Sequence, residues 1–333
     1  MNRMSSAAAT CAVAALILTG CTSGASQESA PSPTSSPTPT ATASPEPTET
    51  PTPTPTPTGP EDPLPDGDVD ILLIGNDSRD PESLGGNADT IMLAHVPEDR
   101  ENLYLISFTR DMWVPIPGLG EGKINSAFSR GGTPTLTETV SELLGGVDVD
   151  YTMQTNFAGF IALTRALDGF EVDNKYATSV TVNSTGREVV FDEGMIELEN
   201  TDGLIYTRER KRLPLGDLDR TERQRAAVTG MLAEIAGQAQ DPEVLAELMP
   251  VLLGNVKVTG DLDLADFTAL AELSEALGRD DVVGLMVPIT GFGTKNGASV
   301  NLVDEAQTAD LGAAIRSDSL DAYVERYGTD YAP

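Results

Sequence analysis

The chain has 333 residues, and its 52 Asp and Glu against 21 Lys and Arg give a formal net charge of −31. That balance argues against general nucleic-acid binding, which calls for a basic face. Its two cysteines and single histidine exclude more: Cys11 falls within an export leader, so the mature chain can form no internal disulfide, no thiolate zinc site and no multi-histidine metal centre.

Residues 1–20 read as a signal peptide. Arg3 precedes a short apolar run, Ala7 to Leu18, and Leu18-Thr19-Gly20-Cys21 follows. The run is too short to span a bilayer. The tetrapeptide is similar to a bacterial lipobox, which makes Cys21 the expected lipidation site, and two acyl chains would anchor the protein stably to the outer face of the cell membrane. An ordinary secretory signal is the alternative. Residues 21–67 form a Pro/Thr-rich linker with no basic residue between 22 and 66. Alternating prolines favour a disordered, polyproline-like stalk that reaches up to roughly 140 Å at ~3.1 Å per residue, a distance suited to work within a cell wall.

Residues 68–333 are long enough for a single α/β domain with a sizeable core. Asp70–Gly75 reads as a buried strand that empties into the polar loop Asn76-Asp77-Ser78-Arg79-Asp80. Asp89–Val96 and Leu103–Phe108 read as a hairpin, the second strand ending at Thr109-Arg110-Asp111. His95 lies in the first of these strands, where a structural role is expected. A helix is predicted over 135–144, a strand over 151–155, and a helix capped by Asn156 that runs to Leu167. Further helices are predicted at 220–238, 242–253, 263–277 and 304–316, with a strand at 282–287. Strands alternating with helices predict a layered α-β-α domain around a central mixed sheet.

Seven basic residues fall between Arg208 and Arg225. Arg208, Arg210 and Arg212 have period two and share a face if extended. Arg220, Arg223 and Gln224 share a face on a helix. A solvated charged surface is the plain alternative, since Glu209, Asp217, Asp219 and Glu222 lie among them. Carboxylates and arginines at strand ends, without histidine or cysteine, suggest a hard-metal and phosphate site.

Taken in order, these segments resemble the LytR–CpsA–Psr family of cell-wall ligases. Asp70–Arg79, Ala88–Leu93, Leu105–Asp111, Lys123–Asn125, Asn156–Phe160, Leu167–Val172, Tyr206–Arg210 and Asp219–Gln224 carry the likeness. The resemblance implies transfer of a glycopolymer from a polyprenyl-pyrophosphate carrier to a peptidoglycan hydroxyl. It implies Asp77 and Asp89 as ligands of Mg2+ (Mn2+ being the alternative ion), and Arg79, Arg110, Arg208, Arg210, Arg220, Arg223 and Gln224 around the pyrophosphate. The catalytic candidates are Arg110, Asp89 and Asp111, with either carboxylate available to take the acceptor proton. Asn76, Asn87-Ala88, Thr109 and Thr207 depart from the family pattern, and a lipid anchor departs from its usual transmembrane helix. The rival readings are a hydrolase of the same carrier and a non-catalytic lipid-carrier or wall-binding lipoprotein. Trp113 is a candidate lining residue for an acceptor groove.

Overall fold

A computed structural model describes residues 67–331 except 79, 81–82, 240–241, 261–268, 271–272 and 274–275. The signal peptide, Cys21, most of the linker, Arg79 and most of the predicted helix 263–277 therefore lie outside the described residues. In chain order come strands β1 (Val69–Asn76), β2 (Ala88–Val96), β3 (Leu103–Phe108), β4 (Met112–Ile116) and β5 (Gly120–Lys123), then helix α1 (Asn125–Leu143). Strand β6 (Tyr151–Thr155) and helix α2 (Phe157–Ala166) follow. Four short strands come next: β7 (Phe170–Asn174), β8 (Thr178–Thr181), β9 (Glu188–Phe191) and β10 (Gly194–Leu198). Helices α3 (Asn200–Arg208), α4 (Asp217–Ala239) and α5 (Pro242–Asn255) precede β11 (Lys257–Thr259), β12 (Val282–Met286), β13 (Ile289–Lys295) and β14 (Ala298–Val303). Helices α6 (Glu305–Arg316) and α7 (Leu320–Tyr327) end the domain.

The apolar runs expected as strands build one six-stranded mixed sheet in the order β11-β6-β1-β2-β3-β12. Strands β1, β3, β6 and β12 point one way, with β1–β6 and β3–β12 parallel, and β2 runs antiparallel between β1 and β3. The ends of β1, β3 and β6 and the start of β2 therefore meet at one rim. Alternation sorts the side chains: Leu72, Ile74, Leu93 and Ile106 pack with Leu136, Val140, Leu311 and Ile315 on one face. On the other face Ile71, Met92 and Leu105 pack toward Val228 and Leu232 of α4. Both faces being covered, these strands are apolar throughout rather than alternating. Each fully buried Leu or Ile contributes roughly 1.5–3 kcal/mol relative to exposure.

A second sheet, β13-β14-β4-β5, and the hairpins β7–β10 and β8–β9 flank the main sheet. The predicted start of α1 at Thr135 is displaced: the helix begins at Asn125 and breaks at Gly132, whose φ is 74°, just before Pro134. Helix α4 starts three residues earlier than expected, and Asn156 caps α2 by accepting from Gly159 N at 2.8 Å.

Candidate active site

The loop between β1 and β2 is tied to the sheet rim by three amide side chains. Asn76 Nδ2 donates to Leu84 O at 3.2 Å, and Gln154 Nε2 to the same oxygen at 2.7 Å. Asn156 Nδ2 donates to Asp80 O and Ser83 O at 3.2 and 3.1 Å. Within this loop the Asp77 carboxylate accepts from Asn87 N at 2.8 Å and Asn87 Nδ2 at 3.2 Å. Gly86, at φ 105°, leaves the space the carboxylate fills, since a Cβ there would run into Asp77 Oδ1. The loop thus sets the orientation of Asp77 before any ligand binds.

Asp89 stands at the start of β2, and its Oδ1 accepts from Arg110 Nη1 at 2.6 Å. Arg110 follows β3 by two residues and also lies 3.9 Å from both Asp111 and Asp217. Burial works against its charge, but the bond to Asp89 and the neighbouring Asp217 and Asp111 outweigh that cost and raise its pKa. Asp217, at the start of α4, contacts Arg210 at 3.7 Å and Arg220 at 3.2 Å as well. Three arginines from three segments therefore converge on one carboxylate. Arg220 is 3% exposed. Burial lowers its pKa, opposed by Asp217, while Arg110 adds repulsion. Its Nη2 donates to Asp89 O at 3.3 Å, and Gln224 Nε2 reaches the same carbonyl at 3.5 Å.

Below this rim lies an apolar cavity of about 250 Å³ between the sheet and helices α2, α3 and α4, with Leu73, Phe160, Leu163, Val228, Met231 and Leu232 on its walls. Asp89, Arg208, Arg220 and Gln224 line it too. Arg208 lies 4.3 Å over the Phe157 ring, which holds its guanidinium at the edge of the cavity.

Asp89, Arg110, Arg208, Arg210, Arg220 and Gln224 thus gather around one cleft, with Asp111 beside it. Arg223 does not join them. Its Nη2 donates to Asn174 Oδ1, Tyr176 O and Thr178 Oγ1 at 3.1, 2.9 and 2.9 Å. Its guanidinium stacks 4.4 Å over Tyr206. Arg223 ties α4 to the small hairpins, and the expected pairing of its face with Arg220 is corrected accordingly. The expected extended face of Arg208, Arg210 and Arg212 is also corrected. Glu209 Oε1 accepts from the backbone N–H of Arg210, Lys211 and Arg212 at 3.0, 2.6 and 3.1 Å, which folds a turn. Arg212 then pairs with Glu209 at 3.0 Å rather than with the cleft.

Asp111 Oδ1 accepts from Lys123 Nζ at 2.6 Å. Trp113 Nε1 donates to Glu121 Oε2 at 3.4 Å, and the ring lines neither this cavity nor the larger one on the opposite sheet face. Gly86 and Gln154 were not singled out in the sequence, Asn87 was noted only as a departure from the family pattern, and Asp217 only among the carboxylates that could pair with the arginines. Gly85-Gly86-Asn87 carries a turn signal that marks the loop, whereas Asp217 has no signal apart from its proximity to arginine.

Comparison with known proteins agrees with this geometry. The sequence profile of the LytR_cpsA_psr family matches residues 34–316. The polyisoprenyl-teichoic acid–peptidoglycan teichoic acid transferase TagU of Enterococcus faecalis is 31% identical over 244 residues, covering 71% of this chain and 75% of that protein. The probable cell wall biosynthesis protein LcpB of Corynebacterium glutamicum is 32% identical over 260 residues, 74% of this chain and 60% of that one. Among solved structures, protein gbs0355 from Streptococcus agalactiae superposes with a TM-score of 0.66 at 24% identity, covering 77% of this chain and 88% of its own. B. subtilis TagV gives 0.65 at 20% identity, with 81% and 100% covered. These two likenesses establish the fold.

Proposed function

The chain belongs to the LytR_cpsA_psr family, and on that premise we propose that it transfers a glycopolymer from a polyprenyl-pyrophosphate carrier to a hydroxyl of peptidoglycan. One observation carries the reading: a rim of Asp89, Arg110, Arg208, Arg210 and Arg220 sits over a cavity walled by Leu, Met, Val and Phe. A charged mouth on an apolar slot matches a ligand with a phosphate head and a hydrocarbon tail. The E. faecalis relative is named for a substrate of that chemistry.

In the reaction an acceptor oxygen forms a new P–O bond with the glycopolymer-bearing phosphorus. The pyrophosphate P–O–P bond breaks, and polyprenyl phosphate leaves. Arg110 and Arg220 would hold the phosphate oxygens in place and neutralise the charge that grows on the leaving group, the main catalytic demand of phosphoryl transfer. Arg208 and Arg210, more exposed, would guide the head into the cleft. The acceptor proton goes to a carboxylate at the rim. Asp89 and Asp111 each have one oxygen held, Oδ1 of Asp89 by Arg110 and Oδ1 of Asp111 by Lys123, so the Oδ2 of either carboxylate could take the proton.

The donor set at Asp77 and Asp89 is oxygen only, which fits Mg2+ rather than a softer ion. Asp77 is already oriented by Asn87, so these two residues would hold the ion, which supplies charge neutralisation at the pyrophosphate. Cys21 would carry the lipid that keeps the domain near the membrane. In Cys21→Ala the protein should move from the membrane fraction to the medium, and continued membrane retention refutes the anchor.

The decisive experiment incubates purified protein with a lipid-pyrophosphate-linked glycan and uncross-linked peptidoglycan. Covalent glycan attachment with release of polyprenyl phosphate is expected. Release without attachment would instead make the protein a hydrolase, and neither product would make it a binder.

A further inference from the structure

Residues beyond Arg316 fall outside the stretch that matches the family profile, yet they reach the helix that carries the cleft's arginines. Helix α7 ends at Gly328, whose φ of 73° and N–H bond to Val324 O at 2.8 Å close its last turn. The chain then runs without regular structure to Tyr331. There a phenol meets α4. Its hydroxyl lies 2.7 Å from Glu222 Oε2 and 2.9 Å from Asp219 Oδ1. Asp219 and Glu222 stand three residues apart, so they are neighbours on one helix face. Like charges so placed repel each other. The hydroxyl between them, with Lys175 Nζ 3.4 Å from Glu222 Oε1, offsets that repulsion. Lys175 and Arg225 also lie 5.3 and 5.6 Å from the centre of the Tyr331 ring.

Asp219 links this contact to the cleft. It is fully buried, and both its oxygens are engaged: Oδ1 by Tyr331, and Oδ2 by the backbone N–H of Leu215 at 2.6 Å. Leu215 belongs to the turn that joins Arg210 to Asp217. In that turn Leu213 N donates to Arg210 O at 3.4 Å and Gly216 N to Leu213 O at 3.2 Å. Asp217 and Arg220 flank Asp219 in the first turn of α4 and pair at 3.2 Å, and Arg210 reaches Asp217 at 3.7 Å. With both oxygens bonded, the Asp219 carboxylate has one orientation, and the turn it holds has one too. Without the phenol a buried carboxylate oxygen loses its partner, and rotation toward another donor would break the bond to Leu215.

We propose that Tyr331 is a positioning residue of the cleft. Through Asp219 it fixes the turn before α4 and the start of that helix, and so the spacing of Arg210, Asp217 and Arg220. It touches no substrate. The proposal rests on the reading of this rim as the pyrophosphate site for what is positioned, while the linkage itself does not depend on that reading.

The test uses the full-length protein. Tyr331→Phe keeps the ring beside Lys175 and Arg225 and removes only the hydroxyl. Tyr323→Phe is the control. It also removes a tyrosine hydroxyl near the end of the chain, but one whose bond, to Gln307 Nε2 at 3.1 Å, joins α7 to α6 rather than to α4. Both variants should lower Tm by a few degrees. Amide exchange over residues 211–219, read by mass spectrometry, should speed about tenfold in Tyr331→Phe and stay at the wild-type rate in Tyr323→Phe. Affinity for inorganic pyrophosphate with Mg2+, measured by calorimetry, should fall about tenfold in Tyr331→Phe and stay within twofold in the control. Unchanged exchange in Tyr331→Phe overturns the proposal, whatever happens to affinity. So does faster exchange without loss of affinity, because the turn then moves without consequence for the cleft. Equal losses in both variants also overturn it and make Tyr331 a contributor to stability alone. Wild-type protein that binds no pyrophosphate would refute the site reading instead. That failure is separate, since the exchange contrast between the two variants upholds or overturns the linkage whatever the cleft binds.

Discussion

Replacing Arg110 tests the chemistry most directly. The residue follows a buried strand by two positions, its side chain is 19% exposed, and Nη1 is 2.6 Å from Asp89 Oδ1. Its Nε lies 3.9 Å from Asp111 and from Asp217. Arg110→Lys keeps the charge and loses the planar fork; Arg110→Ala loses both. If the guanidinium stabilises charge that develops on the departing phosphate, removing this preorganised donor should lower kcat by ~10²–10³, or about 2.7–4 kcal/mol of transition-state stabilisation. The lysine variant should fall near the lower end and the alanine near the upper. Ground-state binding of the carrier should weaken less, because Arg208, Arg210 and Arg220 still face it. The alanine also leaves the partly buried Asp89 carboxylate without its counter-ion, which costs ~1–3 kcal/mol of stability and a few degrees of Tm. Turnover is read as polyprenyl phosphate release with Mg2+ present, carrier affinity by direct titration and Tm by calorimetry. Turnover within threefold of wild type in both folded variants would refute the role and reduce Arg110 to a structural partner of Asp89.

Asp89→Asn should preserve the fold but reduce activity by at least ~10²-fold, and raising Mg2+ should not restore it; full activity in this variant would remove Asp89 as both ligand and base. Met231→Trp fills the apolar slot and should raise KM for a long polyprenyl donor while leaving a short water-soluble pyrophosphate glycan unaffected, so equal effects on both would refute the slot as the tail site. His95 is fully buried, with Nδ1 3.0 Å from Asp70 Oδ1 and Nε2 3.6 Å from Asp318. Burial disfavours its charge, but Asp70, Asp68 and Asp318 prevail and raise its pKa above 6.5. Its stabilisation is therefore present below about pH 6.5 and lost as pH rises through the higher folded-state value. Burial also raises the pKa of Asp70 above 3.8, so that residue's contribution likewise falls with rising pH, in a more acidic window. Urea unfolding of His95→Gln should lack the loss of stability on the alkaline side of pH 6.5 that wild type shows, and identical pH profiles would refute the charged pair.

The central sheet was legible because its strands are buried on both faces and so read as unbroken apolar runs, as Ile71 to Ile74 and Leu103 to Phe108 do. The small strands were not. In β7 only alternate residues are buried, so Glu171 and Asp173 mask Phe170 and Val172, and five residues carry too little period to read. The start of α1 was hidden by Gly131-Gly132-Thr133-Pro134, which reads as a loop and does break the helix, yet a helical turn precedes it. At the site, the residues after strand ends were readable from position alone. The arginine faces were not, because each depended on a conformation decided elsewhere. Glu209 curls the 210–212 segment around its own carboxylate. Arg223 is drawn toward Tyr206 and Asn174 although it is one helical step from Arg220.

Pairing in the cleft is incomplete, as it also is at Arg223, whose Nε and Nη1 make no hydrogen bond among the described residues. Arg220 is buried, yet its Nε makes no hydrogen bond among the described residues, and the same holds for Asp217 Oδ1. A structural ion pair at that depth normally satisfies its remaining donors and acceptors, because each one left bare costs ~1–3 kcal/mol. Here the carboxylate lies between Arg110, Arg210 and Arg220 at 3.2 to 3.9 Å, close enough to offset their mutual repulsion. It is too loosely bonded to occupy their forks. Phosphate oxygens entering from the rim would supply the bonds that Asp217 does not, so Asp217 keeps the three guanidiniums together while leaving donors for the ligand.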